Sequence, residues 1–246
     1  MINFYRIKVI LRAILVLLIA LTLISCASIG PDKPFDSNEK SVTLVVNTAD
    51  TFALQWIGTT IFNNKLGADL INDFNISKII AENSEEVLEK TTEFKSVSIT
   101  TALKYKELQN RKELNSLNAD YMLVISDNSV QDIRFCTNRK YTGVGIFQRS
   151  LIGIDPNSVS HVALKAELIE VSSGKTIRTG YADQSTGGII LSKDMKFHDD
   201  QALAIKGIFG PLIKSTIEIL LSNLGLRKAE VANIELRERT PLGNCF

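Results

Sequence analysis

The sequence is poor in the residue types that most often carry catalysis or bind metals. Its 246 residues include two histidines, three cysteines and one tryptophan. It contains no G-x-S-x-G nucleophile elbow and no phosphate-binding P-loop. Gly143-Val144-Gly145 is followed by Gln148, where a dinucleotide motif would have its third glycine. Calcium-loop spacing and the two-histidine zinc motif of helices are also absent. These absences predict a protein that is not an enzyme and that holds no metal and no cofactor.

An excess of charge of either sign is also missing. Lys and Arg number 28 and Asp and Glu number 27, so the formal net charge is +1. The first 25 residues hold three basic side chains and no acidic one, which leaves the rest of the chain at 1 − 3 = −2. A near-neutral chain without a basic stripe lacks the electrostatic footprint of a nucleic-acid-binding protein. We therefore expect no nucleic acid among its partners.

Long apolar runs are confined to the first 26 residues. A basic segment with Arg6, Lys8 and Arg12 precedes an apolar run over residues 13–24, and Ser25-Cys26 follows. This order is typical of a secretory signal peptide. The apolar run is shorter than the roughly 20 residues that cross a bilayer. An uncleaved anchor helix is the alternative interpretation.

The ending LISC, at Cys26, resembles the lipobox of bacterial lipoproteins. In that family the cysteine thiol is acylated and the signal peptide is removed just before it. The resemblance therefore implies a signal peptide over residues 1–25 and a mature protein held on the membrane by palmitate-type lipid on Cys26. In Gram-negative lipoproteins an aspartate after the cysteine tends to keep the protein at the inner membrane. Ala27 stands there in this chain, which favours the outer membrane, facing the periplasm.

Two further cysteines, Cys136 and Cys245, remain once Cys26 is assigned to the lipid. In an oxidising compartment an even number of cysteines is compatible with a disulfide. A bridge would join the carboxy terminus to the middle of the chain and, by loop-entropy arguments, stabilise the fold by about 4–5 kcal/mol. Two independent thiols are the alternative.

Secondary-structure signals place one folded domain at residues 41–225. Residues 26–40 mix Pro, Gly, Ser and charged residues, which indicates a tether. Residues 226–246 are predicted to form a charged tail. Strands are predicted at 41–47, 52–62, 94–100, 119–127, 159–171 and 176–182, and helices at 76–88, 105–117 and 199–224. Gly210-Pro211 predicts a kink in the last helix or its division into two. The order predicts an α/β (α+β) fold, a mixed β-sheet packed with amphipathic helices.

Two stretches resemble a known protein family. NADYMLVIS, residues 118–126, is similar to a strand of periplasmic lipoproteins with CsgG-like and TolB amino-terminal-like domains. LKAELIEVSSGKTIRTGYA, residues 164–182, resembles their hairpin, with Glu170 and Ser173 where Asp and Thr are usual. The resemblance implies a periplasmic domain that works in envelope assembly or export, often as an oligomer.

The glycine-rich stretch 141–154 is predicted as an unusually apolar loop. Such a loop either folds back on the core or forms a contact site for protein or lipid. In the second case Ile146 and Phe147 would meet the partner and Arg149 would anchor it.

Titratable side chains offer weaker candidates. His161 is expected on the solvent-facing side of its strand. His198 precedes Asp199 and Asp200, where a helix cap is favoured over a metal site. Ser150 and His161 are the only pair considered for a periplasmic hydrolase.

As a whole, the sequence predicts a non-enzymatic envelope lipoprotein, anchored to the membrane by lipid on Cys26, that binds envelope proteins or itself. The alternative is an oligomeric secretion or pore component of the outer membrane that inserts residues 141–154 and 180–191 into the bilayer. A periplasmic hydrolase is the third possibility.

Overall fold

A computed structural model describes residues 35–59, 63–100, 116–132, 139–152 and 154–226. The predicted signal peptide, the three cysteines, most of the predicted helix 105–117 and the charged tail after residue 226 lie outside the described residues. Two helices are described, α1 (Ile76–Thr91) and α2 (Ala202–Asn223), and a 3₁₀ turn, Asp199–Gln201, precedes α2. The strands are β1 (Ser41–Asn47), β2 (Phe52–Ile57), β3 (Lys65–Asp69), β4 (Ser96–Thr100), β5 (Tyr121–Asp127), β6 (Ser129–Gln131), β7 (Lys140–Leu151), β8 (Ile154–Glu170) and β9 (Lys175–Gly187).

The described strands form a mixed sheet organised around β8, the longest of them. The strand order is β3-β2-β7-β8-β5-β1-β4, with β9 along the other edge of β8 and β6 paired to β7. The amino-terminal half of β8 pairs with β7, and its carboxy-terminal half, 164–170, pairs with β5. The sheet therefore has two lobes, β3-β2-β7 and β5-β1-β4, joined by β8 and β9. This architecture confirms the predicted fold class.

Both helices cover one face of the sheet, here called the inner face. α2 is 22 residues long, which corresponds to about 33 Å at 1.5 Å per residue. Near its start, the ring of Phe209 lies 4.8 Å from that of Phe52 on β2. Near its end, Leu220 and Leu224 lie against Gly180 on β9. One helix thus packs on both β2 and β9, and the main hydrophobic core is continuous beneath it.

The opposite, outer face is also covered in two places. Near β1 and β5 the covered residues form one small hydrophobic cluster: Val45, Met122, Val124, Ile169 and Val171. Near β7 and β8 they form a second: Tyr141, Phe147, Val159 and Ala163. The central strands therefore bury side chains on both faces, as the continuous apolar run of β5 predicts.

The sequence offers Asn75 or Asp73 as the cap of helix α1, and Asn75 is the residue at the cap position. Its side-chain oxygen accepts a hydrogen bond from the backbone N–H of Lys78 at 2.7 Å and another from the hydroxyl of Ser77 at 3.0 Å. This satisfies donors that the first helical turn otherwise leaves without a partner. Ile76, Ile80, Val87 and Leu88 then form the buried side of the helix.

We expect Asn75→Ala to lower the free energy of unfolding by about 1 kcal/mol, because it removes the acceptor at the start of α1. Asn75→Ser retains an acceptor oxygen and is expected to be nearly neutral. Urea unfolding monitored by the fluorescence of Trp56, the single tryptophan, would measure both. An equal loss in the two variants would show that the cap bond is not what the asparagine contributes.

The prediction that residues 141–154 form a loop is wrong. They contain β7, which pairs in parallel with β2 and antiparallel with β8. Glycines normally weaken strands, but Gly145 lies where the carbonyl of Ala53 on β2 comes too close for a side chain. The two stretches considered for membrane insertion are thus β7 with its turn, and part of β9 with the residues after it. Neither helix of the described chain has the length and apolar character that crossing a membrane requires.

The expected division of the last helix is also wrong. α2 continues through Pro211. Phe209 and Ile213, on either side of the proline, are fully buried against the sheet, and this burial offsets the roughly 3 kcal/mol that an interior proline costs. The helix is not capped by Asp199 or Asp200, because these residues belong to the 3₁₀ turn and Gln201 is the cap position. Gly225, with φ of 68°, ends it as predicted.

The last described residues of the predicted tether are part of the folded domain. The backbone N–H of Phe35 donates to the carbonyl of Gly225 at 2.9 Å. Its ring packs edge-on against Tyr121, with centroids 5.1 Å apart, and Arg178 lies over it. Ser37 is buried and its hydroxyl accepts from the N–H of Glu93. The domain thus begins at Phe35 or earlier rather than at residue 41.

Candidate functional site

The domain has two distinguishable ends. At one end Phe35 meets Gly225, and the N–H of Val171, just after β8, donates to the carbonyl of Asp120. We call this the proximal end. The other end carries β2, β3 and the turn between β7 and β8, and we call it the distal end. This distinction matters because three large apolar side chains that are mostly solvent-exposed lie at the distal end: Leu66, Leu70 and Ile152.

Strand β3 forms the distal edge of the described sheet. It pairs antiparallel with β2, from Phe52 opposite Asp69 to Trp56 opposite Lys65. No other described residue makes a backbone hydrogen bond to it. Leu66 is 76% exposed, and Leu70, the residue after the strand, is 58% exposed. An edge strand with exposed backbone groups is a ready template for pairing with another chain.

The inner side of β3 is held by the segment before α2. Lys65 Nζ donates to the carbonyl of Lys193, and the N–H of Phe197 donates to the carboxylate of Asp69 at 2.7 Å. A side chain at Gly67 would lie 3.3 Å from the Cβ of Met195. These contacts fix the position of β3 and leave its outer side and its edge exposed.

A groove of about 450 Å³ runs beside β3 on the outer face. Its walls come from β2, β3 and the start of β7, and its lining includes Ala53, Gln55, Leu66, Arg139, Lys140 and Thr142. Arg139 and Lys140 are both exposed. Among the described residues, the lining contains two cations and no carboxylate, so the groove favours a ligand that carries negative charge.

The structure separates the residues predicted to contact a partner. Ile146 and Phe147 are 0% and 2% exposed and lie on opposite faces of β7, in different core clusters. Of the two alternatives for this stretch, packing on the core is therefore the one that the structure shows. Arg149 is partly exposed and pairs in register with Ile57 and Asn157. The lipid site Cys26 and the cysteines 136 and 245 lie outside the described residues, so those assignments stay predictions.

The expectation that His161 faces solvent is wrong. The side chain of His161 lies on the outer face of β8, at the point where the second small cluster covers that face. The residue is only 1% exposed. Its Nε2 lies 3.4 Å from the carbonyl of Thr142, and its ring centroid is 4.5 Å from that of Tyr141. Burial lowers the pKa of His161 to about 4, so the ring is neutral at physiological pH.

The pair considered for a hydrolase does not form. Neither the hydroxyl of Ser150 nor Nδ1 of His161 has a hydrogen-bond partner within the described residues, so the two do not bond each other. A serine nucleophile needs a base within hydrogen-bond reach. The described part of the chain also contains no group of three or more His, Cys, Asp or Glu side chains that could hold a metal ion.

A partly buried carboxyl group marks the junction between the two lobes. Asp127, the last residue of β5, accepts a hydrogen bond from the N–H of Ala49 at 3.0 Å, and burial raises its pKa. A side chain at Gly143 would lie 2.6 Å from this carboxylate, and Gly143 has a φ of 62°. Asp127 thus links the turn after β1 to the end of β5, where the pairing of β5 with β8 stops. Its role is structural.

Sequence reasoning missed β3 and its groove. KLGAD lacks the β-branched residues that mark strands, and its glycine and aspartate are typical of turns. The groove lining comes from three separate segments, and no local pattern could place them together. The only available signal was the pair of exposed leucines, Leu66 and Leu70, in a stretch of otherwise polar or small residues.

Comparisons with known proteins do not assign the chain to a family. No family model matches it, and no curated protein does. A Xanthomonas campestris protein described by the family model DUF330 is similar in structure, with 12% identity, a TM-score of 0.44 and coverage of 80% of this chain and 89% of that one. The PelC dodecamer of Paraburkholderia phytofirmans is similar with 15% identity and a TM-score of 0.38, over 80% of this chain and 94% of that one. Lipoprotein GNA1162 of Neisseria meningitidis is similar with 12% identity and a TM-score of 0.30, over 71% of this chain and 99% of that one.

Proposed function

We propose that this protein is a non-enzymatic binding module of the bacterial cell envelope, held on the outer membrane by lipid on Cys26. The observation that carries the proposal is the order of the first 26 residues: basic, apolar, then LISC. Two or three acyl chains on one cysteine anchor a protein far more firmly than the single chain that binds reversibly. The domain would then work close to a membrane surface.

The structure of the domain agrees with binding rather than catalysis. Nδ1 of its only buried histidine among the described residues has no hydrogen-bond partner there, and no described group of three or more His, Cys, Asp or Glu side chains could hold a metal ion. By contrast, exposed apolar side chains and an open strand edge occur together at the distal end. Both features are typical of surfaces that contact other proteins.

The proposed tether also gives the domain an orientation. Eight residues lie between Cys26 and Phe35, and the resulting nine residue-to-residue steps allow a span of at most about 30 Å. Phe35 is docked at the proximal end. We therefore place the proximal end toward the membrane and the distal end toward the periplasm, where partners would reach it.

Removal of the acylated thiol tests the anchor. We expect Cys26→Ser to abolish incorporation of labelled palmitate and to leave an uncut precursor, because the thiolate is the group that takes the lipid. The measurement is metabolic labelling in a Gram-negative host, followed by mass spectrometry and separation of inner and outer membranes. Cys245→Ser is the matched control and should be labelled and cut like the natural chain. Labelled palmitate on Cys26→Ser, or none on the natural chain, would contradict the proposal.

A further inference from the structure

We infer that the free edge of β3 is the docking site of a partner protein, which adds an extended segment of its own chain as a further strand. This inference rests on the proposed function, because it names the surface and the kind of partner of the binding module. Strand addition to an open edge is a general mode of peptide recognition, in which backbone hydrogen bonds supply affinity and side-chain pockets supply specificity.

Strand β3 is already ordered, and only one of its two edges is available for pairing with a further strand. β2 occupies its other edge through five residue pairs, from Phe52–Asp69 to Trp56–Lys65. Contacts of Lys65 and Asp69 with the segment before α2 hold the strand in an extended form before any partner arrives. A pre-ordered edge reduces the entropy cost of docking.

The edge of β9 is less open than that of β3. The side chain of Asn223, at the end of α2, donates to the carbonyl of Tyr181 on β9 at 2.7 Å. That carbonyl is therefore already satisfied from within the domain. β3 has no comparable bond from its backbone to any other described element besides β2.

The second step concerns the side chains that an added strand would meet. In the β2–β3 register, Leu66 lies opposite Gln55 and Ala68 opposite Ala53, and Ala53, Gln55 and Leu66 line the groove. These two β3 residues thus face outward, and Leu66 is almost unprotected from water. Side chains on one face of an added strand would lie 4.5–5.5 Å from such neighbours, by the ordinary spacing of cross-strand pairs. Apolar residues at alternate positions of the segment would cover Leu66.

The third step is the charge of the site. Arg139 and Lys140 line the groove, and none of the other described lining residues carries a carboxylate. A docked segment therefore gains by carrying an acidic residue next to its apolar ones. The occupant that fits is an extended peptide segment of another envelope protein, with alternating apolar residues and at least one Asp or Glu.

A photo-crosslinking experiment in living cells tests the inference on the full, lipidated chain. A benzophenone amino acid replaces Leu66 in one version and Leu203 in another. Leu203 is the matched control, because it is similarly exposed but lies on α2, in the helix layer. We expect irradiation to join position 66, and not position 203, to an extended, apolar and acidic segment of a different protein. In the purified adduct, hydrogen exchange at the amides of residues 65–69 should slow at least tenfold.

Charge-introducing variants provide the second measurement. With a benzophenone amino acid at Ala68, the double change Leu66→Glu and Leu70→Glu should reduce the adduct at least tenfold, because it removes two exposed apolar side chains and sets carboxylates against an acidic segment. Leu203→Glu should leave the yield unchanged. All these side chains are exposed, so the variants retain the fold.

The inference is overturned by an adduct with a second copy of this chain or with lipid. It is also overturned by undiminished yield from the double glutamate variant, or by unchanged exchange at residues 65–69. A partner adduct from position 203 alone would refute docking at β3 and leave the proposed binding function standing. Absence of palmitate from Cys26 would refute the membrane tether whatever the crosslinks show.

Discussion

Gly145→Ala is expected to lower the free energy of unfolding by about 3 kcal/mol, at the upper end of the usual cost of overpacking. A Cβ atom built on Gly145 would lie 2.0 Å from the carbonyl oxygen of Ala53 and 2.8 Å from its carbon. These are backbone atoms of β2, which pairs with β7 at this point, so no side-chain rotation relieves the clash. The two strands must separate, and their pairing is lost in the lobe formed by β3, β2 and β7, here called the distal lobe.

Gly207→Ala also adds one methyl group, but at a position where no neighbouring atom would clash with it. No atom lies within 4 Å of a Cβ built at Gly207, which is exposed in the middle of α2. Alanine is the better helix former, so this variant should be more stable by roughly 0.5–1 kcal/mol. Urea unfolding followed through Trp56 on β2 would measure both. If Gly145→Ala proved as stable as the natural chain, the close approach of β2 to β7 would not exist.

The sequence predicted best the elements whose local pattern has one structural solution. β1 and β5 lie at the predicted positions, because runs of Val, Leu and Ile flanked by polar residues are typical of buried strands. α1 begins at its predicted cap for an equally local reason. The hairpin of β8 and β9 turns at Gly174, whose φ is 68°, as the turn chemistry requires.

The distal lobe was predicted less well because its signals depend on tertiary contacts. β7 contains Gly143 and Gly145, which locally indicate a loop, and only the approach of β2 and of Asp127 explains why glycine is needed. The same applies to Pro211 in α2, where burial of the neighbouring side chains outweighs helix propensity.

Prediction of the candidate site failed for a related reason. Ile146 and Phe147 are adjacent, strongly apolar residues in a stretch that was predicted as a loop. In a loop their side chains would have formed an apolar surface patch. In a strand covered on both faces, the same residues belong to the core. The surface that remains for partners is instead made of residues with little local character, on β3 and around the groove. The lipidation site at Cys26 stays a prediction from the signal sequence alone.

The burial of His161 leads to a strong dependence of stability on pH. Its pKa falls from an ordinary value of 6.5 to about 4 in the folded protein, because the covered outer face removes water from the ring. Between these two values the unfolded chain binds a proton that the folded chain does not. Stability contributed by the neutral ring is therefore complete above about pH 6.5 and is lost as the pH falls toward 4. The expected loss is about 3 kcal/mol, since one pKa unit corresponds to 1.36 kcal/mol.

Other carboxyl groups change stability in the same pH range, so the histidine must be isolated by comparison. The raised pKa of Asp127 works in the opposite direction, because its folded form takes up a proton first. Glu86, Asp120 and Asp194 have lowered pKa values, so their contributions are lost only at more acidic pH. Asp120 and Asp194 are exposed to solvent and Glu86 is partly exposed, so screening limits the effect.

We expect His161→Gln to flatten the dependence of unfolding free energy on pH between 7 and 4.5, because an amide of similar size cannot take up the proton. The measurement is urea unfolding at a series of pH values, for the natural chain and the variant. His198→Gln is the matched control, since His198 is the other histidine of the chain and is exposed. If the natural chain and His161→Gln lose stability in parallel, the ring must already be accessible to water and to protons. The outer face over β7 and β8 would then open easily, and Phe147 would again become available to a partner.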